Sequence, residues 1–255
     1  MKVATWNVNS LRVRLPHVLE WLEANQPDVL SLQETKLTDD NFPAGEIHEA
    51  GYKVIYSGQK TYNGVAIISR ADALDIVTDI PDLDDPQRRI LAATIDNVRF
   101  LNLYVVNGKE VGSDKYEWKL QWLQKVTDYI EQQLQEYENL VAMGDFNIAP
   151  DDRDVYDPQA WHERILCSTP EREALKMLLD LGLSDTFRRF EQEEKSYSWW
   201  DYRQAAFRRD MGLRIDLILA SKSMAKTCNA CYIDKEPRKL ERPSDHTPVI
   251  AEFTL

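Results

Sequence analysis

The sequence predicts an α/β (α+β) fold in which two mostly antiparallel β-sheets pack face to face with helices outside. Three observations predict it. About ten short apolar runs read as strands, against at least three amphipathic helical stretches. Their order mixes βα alternation with hairpins. No Gly/Ser linker, low-complexity segment or short repeat divides the 255 residues, so 1–255 read as a single domain.

Each element follows from local pattern. Val3-Ala4-Thr5-Trp6 opens as a strand. Ser10 is placed to N-cap a helix with Leu11, Leu15, Val18, Leu19 and Leu22 on one face, and Pro27 ends it. Residues 28–33 form the next strand. Residues 52–56 and 65–69 pair across the polar loop 58–64, and 90–95 with 98–105 make a hairpin across Asp96-Asn97. A long helix over about 114–137 carries Tyr116, Leu120, Leu123, Val126, Ile130 and Leu134, mostly three or four apart, which is a core stripe. It leads into the strand 140–144. After the polar loop 151–164, a second helix starts past Pro170 and carries Leu175, Leu178 and Leu179. The runs 213–219 and 248–253 close the set.

Composition narrows the class. Hydrophobic residues make up 43% of the chain, with seven Trp and eleven Tyr, as a folded globule requires. No apolar stretch approaches the roughly 20 residues of a membrane-spanning helix. Met1-Lys2 runs straight into the first strand without an export signal, and the three cysteines are an odd number; both predict a reducing, cytoplasmic location. Cys228 and Cys231 form a Cys-x-x-Cys, but in a strand such positions face opposite sides, so buried free thiols are expected rather than a metal site. No coiled-coil pattern appears, so a monomer is expected.

The net charge of −12 argues against broad coating of nucleic acid. Local bias runs the other way: Arg203, Arg208, Arg209 and Arg214 stand near Asp210 alone, and Arg238, Lys239 and Arg242 cluster with Glu241. Such clusters suit either a phosphate backbone or a solvated basic face.

The chemistry lies where apolar runs end. Val3 to Trp6 meets Asn7; 29–33 meets Glu34; 140–144 delivers Asp145-Phe146-Asn147; Asp216 interrupts 213–219; and Asp245-His246 precede the last strand. Strand ends are rigid, so side chains placed there can converge. Carboxylate and amide oxygens suit a hard cation such as Mg²⁺, and the imidazole is a proton carrier or oxyanion partner. The set predicts metal-assisted phosphodiester cleavage. Taken singly, an Asp or Asn at a strand end is a cap or an Asx-turn. His17, His48 and His162 read as surface or capping residues.

Thr5-Trp6-Asn7-Val8-Asn9, Leu32-Gln33-Glu34-Thr35-Lys36, Gly64-Val65-Ala66, Gly144-Asp145-Phe146-Asn147, Arg214-Ile215-Asp216 and Ser244-Asp245-His246-Thr247-Pro248 together resemble the exodeoxyribonuclease III/AP endonuclease family, over residues 2–254. The resemblance implies the four-layer sandwich of DNase I-like phosphodiesterases. It also implies Mg²⁺-dependent cleavage, with Mn²⁺ as a substitute, on the 3′-oxygen side of a DNA phosphate. Glu34 is then the principal metal ligand, with Asn7 and Asp245 completing or hydrogen-bonding the site, and a second site at Asp145, Asn147 and His246. Asp145 orients or deprotonates the attacking water, and Asn147 holds the phosphate or that water. His246, oriented by Asp216, stabilises the pentacoordinate phosphorus. Tyr104 matches the family's phosphate-contacting tyrosine, and Asn107 its nearby amide. Asp145, Tyr104 and a metal-bound hydroxide all stand as candidates for the base.

Trp199 matches the family's sugar-packing aromatic, whereas Trp200 reads as core. Where several relatives carry Trp, this chain has Leu213. Relatives that cleave abasic sites carry a small residue where this chain has Leu166, so Leu166 is expected to narrow the slot; in the alternative, the loop 163–170 swings away. With Arg203, Arg208 and Arg209 tracking the backbone, the expected partner is duplex DNA bearing 3′ ends or abasic sites. The rivals on this fold are a phosphoinositide-type phosphatase and a non-catalytic nucleic-acid-binding regulator.

Overall fold

A computed structural model of the chain describes residues 1–81 and 83–255. The first part runs β1 (Lys2–Asn7), α1 (Leu11–Asn25), β2 (Val29–Gln33), α2 (Ala44–Glu49), β3 (Lys53–Ser57), β4 (Val65–Ser69), β5 (Leu74–Val77), β6 (Ile90–Ile95), β7 (Val98–Tyr104), α3 (Asp114–Glu136) and β8 (Leu140–Asp145). Then follow α4 (Pro158–Trp161), α5 (Thr169–Asp180), β9 (Ser184–Asp185), β10 (Trp199–Trp200), β11 (Gly212–Leu213), β12 (Asp216–Ala220), α6 (Lys222–Thr227), β13 (Cys228–Ile233) and β14 (Val249–Phe253).

Two six-stranded sheets result, in the orders β13-β14-β1-β2-β4-β3 and β5-β6-β7-β8-β12-β9. Among the described residues only β1–β2 and β7–β8 pair in parallel. Those two parallel joints sit centrally, one per sheet, which is how helix-linked strands come to lie inside otherwise antiparallel sheets. The architecture is the predicted sandwich of helix, sheet, sheet and helix. Most inner strands are buried on both faces. Odd residues of β1 and β2 (Val3, Val29) face the second sheet, while Ala4, Trp6, Leu30 and Leu32 face Val18, Trp21 and Leu22 of α1. On the second sheet, Leu101, Leu103, Ala142 and Leu217 face Trp122, Val126 and Ile130 of α3 and Leu175 of α5.

Register turns the inner faces into a gradient. Val3↔Val29 and Phe100↔Val141 are apolar at one end. Thr5↔Ser31 and Asn102↔Met143 follow, and Asn7↔Gln33 with Tyr104↔Asp145↔Asp216 stand at the other end. Polar side chains thus accumulate at one mouth of the sheet–sheet seam.

Several local expectations change. Ser10 makes no side-chain cap to α1; its φ is +88°, and its N–H donates to Glu34 O at 2.7 Å. The start of α1 is therefore tied to the turn after β2. Asp96 and Asn97 both take positive φ, the two-residue hairpin turn their sequence favours. A register shift between Cys228 and Ala230 cancels the strand alternation, so Cys228 and Cys231 both face the inter-sheet core. All three thiols are free and buried. Among the described residues no helix is long and apolar enough to cross a membrane.

Candidate active site

Two backbone constraints shape the mouth of the seam. Gly144 has φ +151°, and a Cβ there would lie 1.9 Å from Leu103 O, so only glycine lets β8 run this close to β7 and present Asp145. Gly64 has φ +91°, and a Cβ would lie 2.2 Å from Thr35 Oγ1, beside the turn that carries Glu34. Glu34 and Asn147 themselves take left-handed φ values of +53° and +49°. Both are residues that leave a strand and turn back toward the seam.

Asn7 joins the two sheets' acids. Its Nδ2 donates to Glu34 Oε1 at 3.0 Å and to Asp145 Oδ2 at 2.9 Å. Its Oδ1 accepts Asn9 N–H at 3.0 Å, which fixes the amide's orientation. Asn7 therefore orients two carboxylates as a donor, with one of its two amide-oxygen lone pairs taken by Asn9. Asp145 also accepts Asn147 N–H at 2.9 Å, while Asn147 Oδ1 accepts the Asn107 amide at 3.0 Å.

His246 is buried with Nδ1 2.9 Å from Asp216 Oδ2 and Nε2 3.7 Å from Asp145 Oδ2. Burial would lower the imidazole's pKa, but Asp216 and Asp145 outweigh it and hold the ring protonated. Burial pushes Asp145 above the usual carboxylate range, the His246 charge opposes this, and Asp216 adds to it. Glu34 is the contrasting acid: burial would raise it, yet Lys36, 2.9 Å from Oε2, brings it below its ordinary value. Asp245 is likewise lowered against burial by His246, the Asn9 amide at 2.9 Å and the Trp199 indole N–H at 3.1 Å. Tyr104 is raised well above 10 by burial and then by Glu34, so its hydroxyl stays protonated, even with the Arg89 guanidinium over its ring. That makes Tyr104 a donor in this arrangement.

The donor set fits a hard divalent cation. Carboxylates from Glu34, Asp145 and Asp245 with the Asn147 amide supply oxygen ligands, and Glu34 already accepts the Lys36 ammonium. Ligand atoms of Asp145, Asp216 and His246 lie within 4.8 Å of one another. Glu34 and Asp245 reach each other through Lys36 and Asn9, both of which bond across the gap.

The apolar wall is built beside these groups. Leu166, Leu213, Val155 and Ile215 form one buried cluster with Trp199 packed against it. The Leu166 loop is anchored: its N–H donates to Glu171 Oε1 at 3.1 Å and its carbonyl accepts Ala149 N–H at 2.8 Å. Trp200 is fully buried against Tyr197 and Phe207, the core position expected of it. Arg203, Arg208 and Arg209 are exposed, as a backbone-tracking face requires. Arg214 and Arg238 are not. Arg214 is buried in a fork to Asp154 and Asp185, and Arg238 donates to Ser244 O beneath the Phe207 ring. Neither can track a phosphate; their charges hold loops instead.

Sequence reading missed Ser198. Its hydroxyl donates to Asp216 Oδ2 at 2.6 Å and accepts the N–H groups of Ile215 and Asp216 at 3.1 Å. A serine between Ser196-Tyr197 and two tryptophans carries no signal by itself. Asn9 and Lys36, by contrast, lie inside the motif strings and could have been read from their distance to Asn7 and Glu34.

A family model described as the endonuclease/exonuclease/phosphatase family matches residues 4–246. The chain is 36% identical to exodeoxyribonuclease III of Haemophilus influenzae, with 99% of this chain and 100% of that protein covered. Among solved structures it resembles a 3′-phosphatase from Neisseria bound to a product DNA hairpin, at 51% identity and a TM-score of 0.98, with both chains covered in full. It also resembles an AP endonuclease from Archaeoglobus fulgidus, at 38% identity and a TM-score of 0.96, again over 100% of both chains.

Proposed function

Because the chain belongs to the exodeoxyribonuclease III/AP endonuclease family, we propose that it is a metal-dependent DNA-repair nuclease, a single domain over residues 1–255, acting on duplex DNA as a 3′→5′ exonuclease and 3′-phosphatase. Cleavage falls on the 3′-oxygen side of the phosphate. The observation that carries this reading is the Asn7 amide bonded to Glu34 of one sheet and Asp145 of the other, with His246 Nε2 facing Asp145.

Glu34 and Asp245, with Asn7 orienting the carboxylates, would hold Mg²⁺ or Mn²⁺, and Asp145 and Asn147 offer a second position, which His246 would join only on giving up its proton. When bound, the cation supplies charge neutralisation at a phosphate oxygen. The side chains do the rest. Asp145, with its raised affinity for a proton, takes the proton of the attacking water. Asn147 and Asn107 position the phosphate, and Tyr104 donates to it. His246, kept charged by Asp216, which Ser198 orients, hydrogen-bonds the phosphoryl oxygens as negative charge builds. Trp199, backed by the fully buried Leu213, packs against the terminal sugar, and Leu166 restricts passage of a continuous strand, so internal abasic sites are poorer substrates than 3′ ends. Arg203, Arg208 and Arg209 meet the flanking backbone. Three free thiols fit a reducing, cytoplasmic setting, and a monomer suffices for this chemistry.

The test uses end-labelled duplexes with a recessed 3′ end, a 3′-phosphate or an internal abasic analogue. Loss of label that needs Mg²⁺, stops with EDTA and vanishes in Glu34→Ala is expected. Folded protein inactive on all three substrates would overturn the assignment.

A further inference from the structure

α3 and α5 meet through a pair that the chemistry above does not use. Lys119 and Glu171 are both fully buried and bonded to each other. Their remaining bonds share one feature: each goes to a loop that carries a residue of the site. Lys119 Nζ donates to Asn147 O at 2.7 Å and to Asn107 O at 3.2 Å. Glu171 Oε1 accepts Leu166 N–H at 3.1 Å, and Oε2 accepts the Ser168 N–H at 3.1 Å and hydroxyl at 2.7 Å. The fit is close: a Cβ on Gly108, next to Asn107, would lie 2.9 Å from Ile165 and 3.1 Å from Lys119.

If helix packing were the only requirement, two apolar side chains of this volume would meet it without the desolvation that two buried charges suffer. Beyond the capping box that Glu171 closes with Ser168 at the start of α5, the ion pair reaches backbone atoms of the three loops that carry Asn107, Asn147 and Leu166. We propose that Lys119 and Glu171 are positioning residues that fix the phosphate-facing amides of Asn147 and Asn107 relative to the Leu166 wall. The proposal rests on the nuclease reading above. In that reading, attack depends on Asn147, and strand selection depends on where Leu166 stands. A displacement of about 1 Å in such a group is enough to cost about a hundredfold in rate.

The experiment compares wild type, Lys119→Met and Glu171→Gln on a duplex ending in a 3′-phosphate and on one with an internal abasic analogue. Folding at assay temperature is checked by circular dichroism. Both variants are expected to lose about tenfold or more in kcat on the 3′-phosphate with KM changed less than about threefold. They are also expected to raise the internal-to-terminal cleavage ratio as the Leu166 loop loosens. Glu171→Gln keeps the shape, so it carries the same readings if Lys119→Met does not fold. A folded variant with kcat and ratio unchanged would overturn the proposal. So would unfolding of both, since the pair would then serve stability alone. Wild type inactive on both duplexes is a different result: it removes the nuclease reading and this inference with it, whatever the variants do.

Discussion

Leu166 holds its backbone at φ +72° while its side chain is buried with Leu213 and Ile215. A leucine is uncommon in that left-handed region, where glycine is at ease. Two opposing effects therefore act in Leu166→Gly. Loss of the buried side chain costs about 2–5 kcal/mol, and relief of the left-handed strain returns about 1–2 kcal/mol. A net destabilisation of about 2 kcal/mol, in a span of about 0–4, is expected by denaturant unfolding. The catalytic consequence is separate, because Leu166 touches none of the acids. Opening the wall should raise cleavage of an internal abasic analogue relative to 3′-phosphate removal by about tenfold, the discrimination that one side chain's worth of apolar volume supplies. An unchanged ratio would leave Leu166 as packing only.

At the scale of strands and helices, the two sheets are joined below the acids by a polar clasp. Gln33 Nε2 of β2 donates to Thr5 Oγ1 at 2.9 Å and to Asn102 Oδ1 of β7 at 2.7 Å. Asn102 Nδ2 donates back across the seam to Leu32 O at 2.9 Å and Ala66 O at 2.8 Å. Asn102→Leu should cost about 2–4 kcal/mol by taking the Asn102 amide from two carbonyls and leaving Gln33 with Thr5 alone. Adding Gln33→Leu should recover part of that, and a strictly additive double mutant would show that the clasp does not couple the sheets. This clasp also marks what the sequence conveyed. Apolar runs located β1, β2, β4, β6, β7 and β8 well, because a strand buried on both faces is a dense local signal. Their ends announced Asn7, Glu34, Asp145 and Asp216 for the same reason. β9, β10 and β11 span two residues each, too few for any period. The Cys228–Cys231 facing was misjudged because a single bulged residue inverts alternation. Arg214 and Lys119 went unread since burial of a charge depends on partners such as Asp154 and Glu171, distant in sequence. Lys119 does lie three residues after Tyr116 and four before Leu123 on the inward stripe of α3, and that spacing was the available clue.

Across the whole molecule, the site is a seam between two bodies of sheet, and the acids that line it come from both. Glu34 and Asn7 leave the first sheet, Asp145 and Asp216 the second, and Asp245 and His246 the segment that enters β14. Four carboxylates converge here against Lys36 and His246, so negative charge is in excess. A divalent cation held by Glu34 and Asp245 would join the first sheet to the β14 approach, and one held by Asp145 and Asn147 would brace the end of β8 in the second. Either ion would bind the folded chain and not the unfolded one, so it must raise stability by mass action. At a hundredfold excess over Kd that gain is about 2.7 kcal/mol, which for a chain of this size is a rise in Tm of about 5–10 °C. Thermal melts with saturating Mg²⁺ or Mn²⁺ against EDTA should show it without any substrate, and Glu34→Ala should lose most of it. If Glu34→Ala keeps the full rise while losing activity, the ion sits on the Asp145 side of the seam and Glu34 acts on the phosphate by another route. If wild type shows no rise with either metal, the acids do not form a metal site in the free protein. The cation would then have to arrive with the DNA phosphate, which supplies the ligands the protein lacks.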